Sequence, residues 1–578
     1  MTRPPRQRPP AKPESAPGPA AGAVVPPPAP RPPLFSARNW PLAIVLAVAA
    51  YLCLVRLGNT ALWDDEAQDA IFGRNFLAAG ELTGWDGRNL YGYRDGAILD
   101  ENLISRNPPV APMLAAVSFR LLGVGTWPAR LPFALMGLAA LVMLAVAYRE
   151  DFPEDRAGLF YAAGAMALSP EFLLNARQCR YYMPCLLACL VVYWGHSRFM
   201  RGWSWGALAA VAGGSILLFY SNWLVCAVFL VTLATMHLLF HRRTLDMGGW
   251  IGLGYAAAAF LACTLPYAIS RRIWERPDMP AGQNWGWLRQ KAVLLWWTVR
   301  DLNVTNMMPW MLLLLFAFFL WRGRGSRQNR AAIKWFAFGV LNMAWLTAVS
   351  PQTPETTKFA DIRYLIASMP FLFGVAGWVL GRAHRFARPL AALLFAVLVT
   401  SNALSVAPGQ WKFYWLLPAY AREVHQPYPT LVSEVADYLG RNARQDETVF
   451  VSPDFNTYPI MFYVGDKVRF NCVLTRKTAL PKDKLRALKT PLYINDSHPD
   501  WLVLCGQAGA RDLIKFFSKP HVDQGHAVTP HYRLAATLNV FWQDKSRPEL
   551  LLHSFGPVQG FLPSTHGVLI FRKSPAER

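Results

Sequence analysis

The stretch Leu62-Trp63-Asp64-Asp65-Glu66-Ala67-Gln68-Asp69-Ala70 follows directly on a hydrophobic run from about Trp40 to Leu57. Carboxylates beside a bilayer are costly unless they bind or catalyse something. The pattern predicts that a helix starts here, with Asp65 as its N-cap and Gln68 completing a capping box. Asp69 then lies one turn further along, on the same face as Asp65. A second interpretation is that these acids only cap a surface helix and complement its dipole.

The composition of the chain is that of a helical membrane protein. Of its 578 residues 53% are hydrophobic, and the mean hydropathy is +0.19. Many of the apolar runs are long enough to span a bilayer. The net charge of +22 lies largely in short loops between these runs, where basic residues set orientation and meet anionic lipid head groups. Membrane lipids are therefore expected partners, and nucleic acid is not.

The hydrophobic runs predict eleven membrane spans. They lie at about 40–57, 130–148, 157–174, 182–198, 205–220, 222–241, 249–268, 305–321, 334–350, 363–381 and 389–406. An eleven-span path places the basic loops near residues 196–201, 241–243, 322–334 and 382–388 in the cytoplasm. The run Pro109-to-Gly123 is shorter and carries Arg120. If it were a span, every later loop would change sides and the basic loops would lie outside. It is therefore predicted to be an interfacial helix on the outer surface.

The predicted fold class is an all-α polytopic membrane protein with a small C-terminal α/β domain outside the membrane. Residues 1–38 are rich in Pro and Arg and predict a disordered cytoplasmic arm. Residues 39–406 form the membrane domain, in which residues 58–129 make one large outer loop. Residues 407–578 form the outer domain. Its predicted strands are Thr448-to-Ser452, Trp501-to-Cys505 and Gly567-to-Arg572, and its predicted helices are Thr430-to-Arg441 and Arg511-to-Phe517.

Six of the eight cysteines lie in or beside the predicted spans, where cysteine usually packs as a small apolar residue. Cys185 and Cys189 are four apart on one helix, but no nearby His or Cys completes a metal set. Cys472 and Cys505 fall in the outer domain, where the sequence leaves a disulfide open.

Three further groups of polar residues are predicted on the same side of the membrane as the acids. They are Arg106-Asn107-Pro108-Pro109, the loop from Asn175 to Tyr182 with Arg177, Arg180, Tyr181 and Tyr182, and the segment Asp361-Ile362-Arg363-Tyr364. Each arginine alone could simply reach up to the head-group level. Together with the acids they indicate a shared anion-binding site, because the arginine fork bonds two phosphate oxygens at once.

The order of these motifs resembles that of the GT-C glycosyltransferases, in the branch of protein O-mannosyltransferases and lipid A aminoarabinose transferases. The shared order is an acidic pair after the first span, a Pro-Pro interfacial helix, Gly123-Val-Gly-Thr-Trp-Pro-Ala-Arg130-Leu-Pro, Ser169-Pro170, the Arg-and-Tyr loop, and Arg363-Tyr364 with Pro370. The resemblance covers roughly residues 40–406, and the outer domain resembles accessory domains only loosely.

The resemblance implies a GT-C fold and an inverting transfer of a sugar from a polyprenyl phosphate carrier to a lipid, glycan or protein acceptor. It implies that Asp65 is the catalytic acid of the first loop, with Glu66 as its catalytic neighbour. Arg177 or Arg180 matches the second-loop position, and Arg363 the contact to the donor phosphate. The other substrate-binding candidates are Asp64, Asp69, Arg106, Asn107, Tyr181 and Tyr364.

The chain departs from this family at two places. Relatives carry Glu-Lys or His before the Pro-Pro pair, whereas this chain has Arg106-Asn107. Several relatives have an acid in the second outer loop, which here reads Gln178-Cys179-Arg180. These differences leave a divalent metal cofactor and the acceptor open.

Two other functions were weighed against the transferase. A transporter or channel would need ionisable residues or broken helices within the spans, and a non-catalytic scaffold in envelope assembly would use the acids only as caps. Arginine outnumbers lysine and no eukaryotic sorting signal is visible, which favours a bacterial cytoplasmic (inner) membrane with the site facing outward.

Overall fold

The structure is a computed structural model of the whole chain. It describes residues 40–578 except 242–245, 275–284, 324, 355–361, 406–412, 414, 426–428, 472–473, 476, 489, 491, 493–497, 506–509, 520, 524–525, 542–564 and 575–578. The chain divides into Met1–Trp40 and Pro41–Arg578, and the second unit contains the elements considered below. The arm predicted at residues 1–38, Asp361 and Cys472 lie outside the described residues.

The described residues are mainly helical. The helices up to residue 405 are α1 (Trp40–Leu54), α2 (Asp64–Ala79), α3 (Val110–Leu122), α4 (Thr126–Asp151), α5 (Arg156–Ala167), α6 (Pro170–Ala176), α7 (Tyr182–Phe199), α8 (Trp205–Ser221), α9 (Trp223–Phe240), α10 (Met247–Ser270), α11 (Trp285–Val304), α12 (Trp310–Arg322), α13 (Arg327–Val349), α14 (Met369–Phe386) and α15 (Arg388–Thr400). The short 3₁₀ helices Tyr93–Gly96 and Ile362–Ala367 lie between them.

Each of the eleven predicted spans contains at least one of these helices, which confirms the predicted helical fold class. Among the described residues, α4, α9, α10 and α13 have the length and hydropathy to cross a membrane, and α5 with α6 passes as a bent pair. The helices α1, α3, α8, α12 and α15 are apolar but shorter. The count of eleven spans stays a prediction.

The predicted span 157–174 is two helices rather than one. The axes of α5 and α6 differ by 59°. Pro170 is the first residue of α6, where its missing N–H removes no helical hydrogen bond, and it disfavours helical geometry at the residue before it. The break places the loop that follows α6 beside the acidic stretch.

The helix α11 lies in a stretch that was not predicted to be a span. It carries Arg289, Lys291, Arg300 and Asp301 among its apolar residues, so its sequence does not form an uninterrupted apolar run. Lys291 Nζ donates hydrogen bonds to the carbonyl oxygens of Ser350, at 2.5 Å, and of Gln352, at 2.9 Å. These bonds tie α11 to the end of α13.

Two glycines allow α14 to approach α5 closely. A Cβ atom at Gly377 would lie 2.6 Å from backbone atoms of Ala162, and one at Gly381 would lie 2.8 Å from backbone atoms of Gly158. Small residues four apart on one helix are typical of helix packing in membranes, because they let two backbones meet. This contact holds the core of the helical body.

The C-terminal part of the chain, from residue 415, contains a five-stranded sheet. It is the segment predicted to form the outer domain, and that name is kept below. Its helices are α16 (Leu417–His425), α17 (Leu431–Asn442), α18 (Thr457–Val464), α19 (Lys482–Ala487) and α20 (Ala510–Phe517). Its strands are β1 (Thr448–Ser452), β2 (Arg469–Phe470), β3 (Trp501–Cys505), β4 (His521–Asp523), β5 (His526–Val528), β6 (Tyr532–Phe541) and β7 (Thr565–Lys573).

The sheet order is β2-β1-β3-β7-β6, with the first three strands parallel and β7 antiparallel to both β3 and β6. The predicted strands coincide with β1, β3 and most of β7, and the predicted helices with α17 and α20, so the α/β class is confirmed. Cys505 is a free thiol.

One hydrophobic core joins the outer domain to the outer loop. It contains Ala67 and Phe72 of α2, Val435 of α17, and Val449 and Val503 of the sheet. A completely buried amide also crosses this boundary: Asn89 donates to the carbonyl oxygen of Gly465 at 3.0 Å and accepts from Phe470 N–H at 2.7 Å. The acidic helix α2 therefore packs against the outer domain as well as against its own loop.

Candidate active site

The acidic helix α2 begins two residues earlier than predicted. Its N-cap is Trp63, so Asp65 lies inside the first turn rather than at the cap. The side chain that reaches back is that of Glu66, three residues after Trp63, which accepts from Trp63 N–H at 3.4 Å. The prediction of Asp65 as N-cap and Gln68 as its partner was wrong, because Glu66 occupies the position from which a carboxylate meets the cap N–H.

Glu66 is completely buried in an ion pair with Arg130. Arg130 Nε donates to Glu66 Oε1 at 2.8 Å, and Nη2 donates to Oε2 at 2.6 Å. Glu66 Oε1 also accepts from Cys179 N–H at 2.8 Å. The carboxylate is thus held on both oxygens by donors from α4 and from the loop after α6.

The remaining donors of Arg130 hold the turn that leads into α2. They donate to the carbonyl oxygens of Leu57, Thr60 and Ala61 at 2.9–3.2 Å. An arginine fork that bonds both a carboxylate and several carbonyls has one defined geometry. This network fixes the backbone segment that leads into the first turn of α2.

Asp65 is the acid of this turn that faces two arginines from distant segments. Its Oδ2 atom lies 3.3 Å from Arg363 Nη1 and 3.6 Å from Arg180 Nη2. Its side chain is 23% exposed, in contrast to the buried Glu66. The structure thus brings together the first loop, the loop after α6 and the segment before α14, as the sequence predicted.

Asp69 lies one turn further along α2 and binds the same arginine. Arg180 Nη1 is 2.8 Å from Asp69 Oδ2 and donates to the carbonyl oxygen of Asp65 at 3.1 Å. Burial raises the pKa of Asp69 to about 6, against the lowering effect of the Arg180 charge. The acids Asp65 and Glu66 add to the increase. Asp69 therefore titrates near neutral pH.

Aromatic rings surround the two arginines. The Arg363 guanidinium lies 5.2 Å from the ring centroid of Trp63 and 5.3 Å from that of Tyr364, and Arg180 lies 5.3 Å from the ring of Tyr181. Such cation–π contacts hold a guanidinium in place and leave N–H donors at its edge. Tyr181 and Tyr364 thus lie beside the arginines, and their substrate-binding role stays a prediction.

Arg177 has a different environment from Arg180. Its guanidinium donates to the carbonyl oxygens of Leu52, Cys53, Val55 and Arg56 at 2.7–3.2 Å. These carbonyls lie at and just beyond the end of α1, where the helix no longer supplies N–H donors to every carbonyl. Of the two arginines that the sequence left as alternatives, Arg180 contacts the acids.

The other predicted residues lie around this centre. Asp64 is buried and its Oδ1 accepts from Asp65 N–H at 2.8 Å. Arg106 and Asn107 are half-buried in the segment before α3, where Arg106 N–H donates to the carbonyl oxygen of Ile98 at 2.8 Å. A substrate-binding role for these three residues stays a prediction.

A groove opens beside Tyr364. It has a volume of about 670 Å³ and is lined mainly by apolar residues of α9, α11 and α13, among them Leu224, Leu294 and Leu346. Tyr364 and Leu365 form the wall nearest the two arginines. The lining also includes Thr298, Thr347, Ser350 and Gln352. A groove with leucine walls that reaches Tyr364, the neighbour of Arg363, suits an amphiphile with an anionic head group.

The sequence missed two residues that shape this site. Arg130 was noted only as part of a motif, although an arginine at the start of a span signals a charged partner. Tyr463 of α18 was not noted at all. Its hydroxyl accepts from Leu62 N–H at 2.9 Å and lies 2.7 Å from Thr126 Oγ1. No local pattern marks that contact, because it joins segments four hundred residues apart.

Within the parts of the chain that the structure describes, no three His, Cys, Asp or Glu side chains are placed to hold a metal ion. The divalent metal that the resemblance leaves open gains no set of protein ligands there.

The arrangement offers two complementary functions at one place. Asp65 is a partly exposed carboxylate that can accept a proton. Arg180 and Arg363 are fixed cations that can bind a phosphate and stabilise negative charge as it develops. The groove beside Tyr364 supplies an apolar path to the same point.

Comparison with known proteins agrees with this fold. A family model described as dolichyl-phosphate-mannose-protein mannosyltransferase matches residues 106–269. The crystal structure of ArnT from Cupriavidus metallidurans bound to undecaprenyl phosphate is similar, with a TM-score of 0.54 and 14% sequence identity, covering 84% of this chain and 96% of that one.

The apo structure of the same ArnT gives a TM-score of 0.53 and 15% identity over the same shares. A search of curated protein sequences finds no match. The chain has the GT-C fold.

Proposed function

We propose that the protein is an inverting glycosyltransferase that moves a sugar from a polyprenyl phosphate carrier to an acceptor in the cell envelope. The observation that carries this proposal is the contact of Asp65 with both Arg180 and Arg363. A candidate base and two phosphate-binding cations from three separate segments meet at one point. The fold and the family match support the same class of reaction.

Arg363 and Arg180 bind the donor phosphate in this proposal. Both guanidiniums are largely buried and held by aromatic rings, so little conformational freedom is lost when they bind. In the absence of donor their charges are balanced by Asp65 and Asp69. A bound phosphate competes for the same N–H groups and frees the Asp65 carboxylate for the acceptor.

Asp65 is the general base. It takes the proton of an acceptor hydroxyl while that oxygen forms a bond to the anomeric carbon of the sugar. The bond from that carbon to the phosphate oxygen breaks on the opposite face, and its electron pair leaves with the phosphate. The arginines stabilise the charge on the departing phosphate, which is already a good leaving group. The configuration at the anomeric carbon is inverted.

Glu66 positions this base. Its carboxylate is occupied by Arg130, Cys179 N–H and Trp63 N–H, so it holds the first turn of α2 in register with the loop after α6. Tyr181 and Tyr364 support the arginines, and Asp69 balances the charge of Arg180. Asp64, Arg106 and Asn107 complete the proposed substrate site around them.

The prenyl chain of the donor lies in the groove lined by Leu224, Leu294 and Leu346. Its phosphate then emerges beside Tyr364, next to Arg363. The similar ArnT structure was solved with undecaprenyl phosphate, a ligand of this chemical class, which supports a polyprenyl carrier. The site faces outward from a bacterial cytoplasmic membrane, and the acceptor is a lipid, a glycan or a protein of the envelope.

The direct test uses purified protein and a polyprenyl-phosphate-linked sugar. With an envelope extract that supplies the acceptor hydroxyl, wild-type protein is expected to release free polyprenyl phosphate. Mass spectrometry of envelope lipids and glycans from cells with and without the protein identifies the acceptor. Asp65→Asn is the matched control in both assays. A protein that binds no polyprenyl phosphate, or cells whose envelope glycans do not change, would overturn the proposal in favour of a transporter or a scaffold.

A further inference from the structure

A second cleft lies between the outer domain and the outer ends of the helical body. It has a volume of about 890 Å³. One wall is the face of α17 that carries Ser433, Asp437, Gly440 and Arg441, and the opposite wall includes Gly58 and Asn59.

The cleft opens beside apolar side chains that face outward. Gly58 and Thr126 line the cleft, and a Cβ atom at Gly58 would lie 3.1 Å from Trp127 Cβ, so Trp127 lies directly beside the cleft. Trp127 and Val124 are 42% and 53% exposed. Exposed tryptophan at the end of an apolar helix is typical of the boundary between lipid tails and head groups. The cleft therefore opens at the head-group level, where lipid chains can lie against Trp127.

The rim of the cleft carries one charge of each sign. Arg441 Nη2 lies 3.3 Å from Asp437 Oδ2, and the two side chains are 78% and 67% exposed. A solvent-exposed ion pair of this kind contributes little, so a ligand that brings both charges can replace it. A phosphate matches the arginine fork, and an ammonium group matches the carboxylate.

The floor of the cleft is connected to the acidic helix. Tyr463 lines the cleft, and its hydroxyl bonds Leu62 N–H and Thr126 Oγ1. Leu62 is two residues before the first residue of α2. A group bound in the cleft therefore contacts Tyr463, which holds the turn that leads into α2.

We propose that this cleft binds the head group of a zwitterionic, amine-bearing phospholipid. The phosphate binds Arg441, the ammonium binds Asp437, and the acyl chains run past Trp127 into the bilayer. The charge pair on the rim and the apolar edge of the cleft argue for this occupant, and neither depends on the transfer reaction.

The test measures thermal unfolding of the purified full chain in detergent with short-chain lipids. Dihexanoyl phosphatidylethanolamine is expected to raise Tm in a saturable way. Dihexanoyl phosphatidylglycerol lacks the ammonium group, so at least a tenfold higher concentration of it should be needed for the same increase. Asp437→Asn is expected to remove this preference. Equal effects of the two lipids on the wild type would overturn the proposal.

A variant that fills the cleft provides a second test. A Cβ atom at Gly440 would meet only Val464 Cγ1, at 3.9 Å, among the described residues. Since Gly440 lines the cleft, Gly440→Trp is expected to place its indole in the cleft. It is expected to abolish the Tm increase caused by phosphatidylethanolamine. Gly202→Trp, in open space between α7 and α8, is the matched control and keeps the increase. A full increase in Gly440→Trp would contradict the assigned site.

Discussion

Arg130 and Glu66 form a two-pronged ion pair in which neither side chain is exposed to solvent, with N–O distances of 2.8 and 2.6 Å. Asp65, the next residue along the chain, remains 23% exposed. The two adjacent acids therefore differ in what they can do. Glu66 fixes the turn, and Asp65 is the partly exposed acid to which we assign the proton transfer.

Glu66→Gln is expected to destabilise the protein strongly. The variant leaves the buried guanidinium of Arg130 without its counter-charge, which typically costs roughly 3–5 kcal/mol. Asp65→Asn is the matched control, and it should change the free energy of unfolding by no more than about 1 kcal/mol. Chemical denaturation of both variants measures the difference. Equal stability would show that the Glu66–Arg130 pair does not hold the turn.

Arg363→Lys and Arg180→Lys are each expected to weaken binding of a polyprenyl phosphate by about tenfold or more. A lysine presents a point charge instead of a fork, and hydrogen bonds to charged groups contribute roughly 1.5–3 kcal/mol each. Arg177→Lys is the control, since Arg177 bonds carbonyls at the end of α1. It should lower stability and leave the affinity of the folded protein unchanged. Unaltered affinity in Arg363→Lys would remove Arg363 from the donor site.

The pKa of Asp69 near 6 predicts a pH dependence of donor binding. As the pH falls through about 6, Asp69 becomes neutral and Arg180 loses one of its counter-charges. The affinity for a polyprenyl phosphodiester, whose own charge is constant in this range, should therefore rise between pH 7 and pH 5. Asp69→Asn should bind as tightly at pH 7 as the wild type does at pH 5, with no further change. Parallel pH profiles for the two proteins would contradict this role.

The same raised pKa has a consequence for folding. Between about pH 4 and pH 6 the folded chain keeps the Asp69 proton that the unfolded chain has lost, so stability falls as the pH rises through this window. Compared with Asp69→Asn, the wild type should lose up to roughly 3 kcal/mol across it. Equilibrium unfolding at several pH values measures this difference.

The predicted orientation can be tested independently of catalysis. Residues 58–130 and the outer domain should face outward, because the alternate loops are basic. Arg327, an exposed residue at the start of α13, should then lie in the cytoplasm. A cysteine in place of Arg327 should resist a membrane-impermeant thiol reagent in intact cells and react after lysis. A cysteine in place of Asp512, in α20, should react in both cases.

The sequence predicted the helical body well because each apolar run is its own signal of a span. Strands β1 and β3 were found for a similar reason, as short buried runs between polar segments. The helix α11 was missed because four charged residues interrupt its apolar pattern. The predicted start of α2 was wrong by two residues, because Glu66, held by its buried partner Arg130, accepts from Trp63 N–H and makes Trp63 the N-cap.

The contact of Asp65 with Arg180 and Arg363 agrees with the predicted topology, because that topology places all three residues on the same side of the membrane. The distinction between Arg177 and Arg180 did not follow, because the two are three residues apart and only tertiary packing separates them. The shared core of the outer loop and the outer domain was missed for the same reason. Long-range contacts of this kind leave no periodic trace in the sequence.

The most direct measurement is the single-turnover rate of sugar transfer by Asp65→Asn. The amide keeps the shape of the side chain but cannot take the proton of the acceptor. Loss of a general base lowers the rate by roughly two to four orders of magnitude, while binding of polyprenyl phosphate through Arg180 and Arg363 should persist. A folded Asp65→Asn protein with that slow rate and intact donor binding is the predicted result. Transfer at nearly the wild-type rate would contradict the assignment of Asp65 as the base.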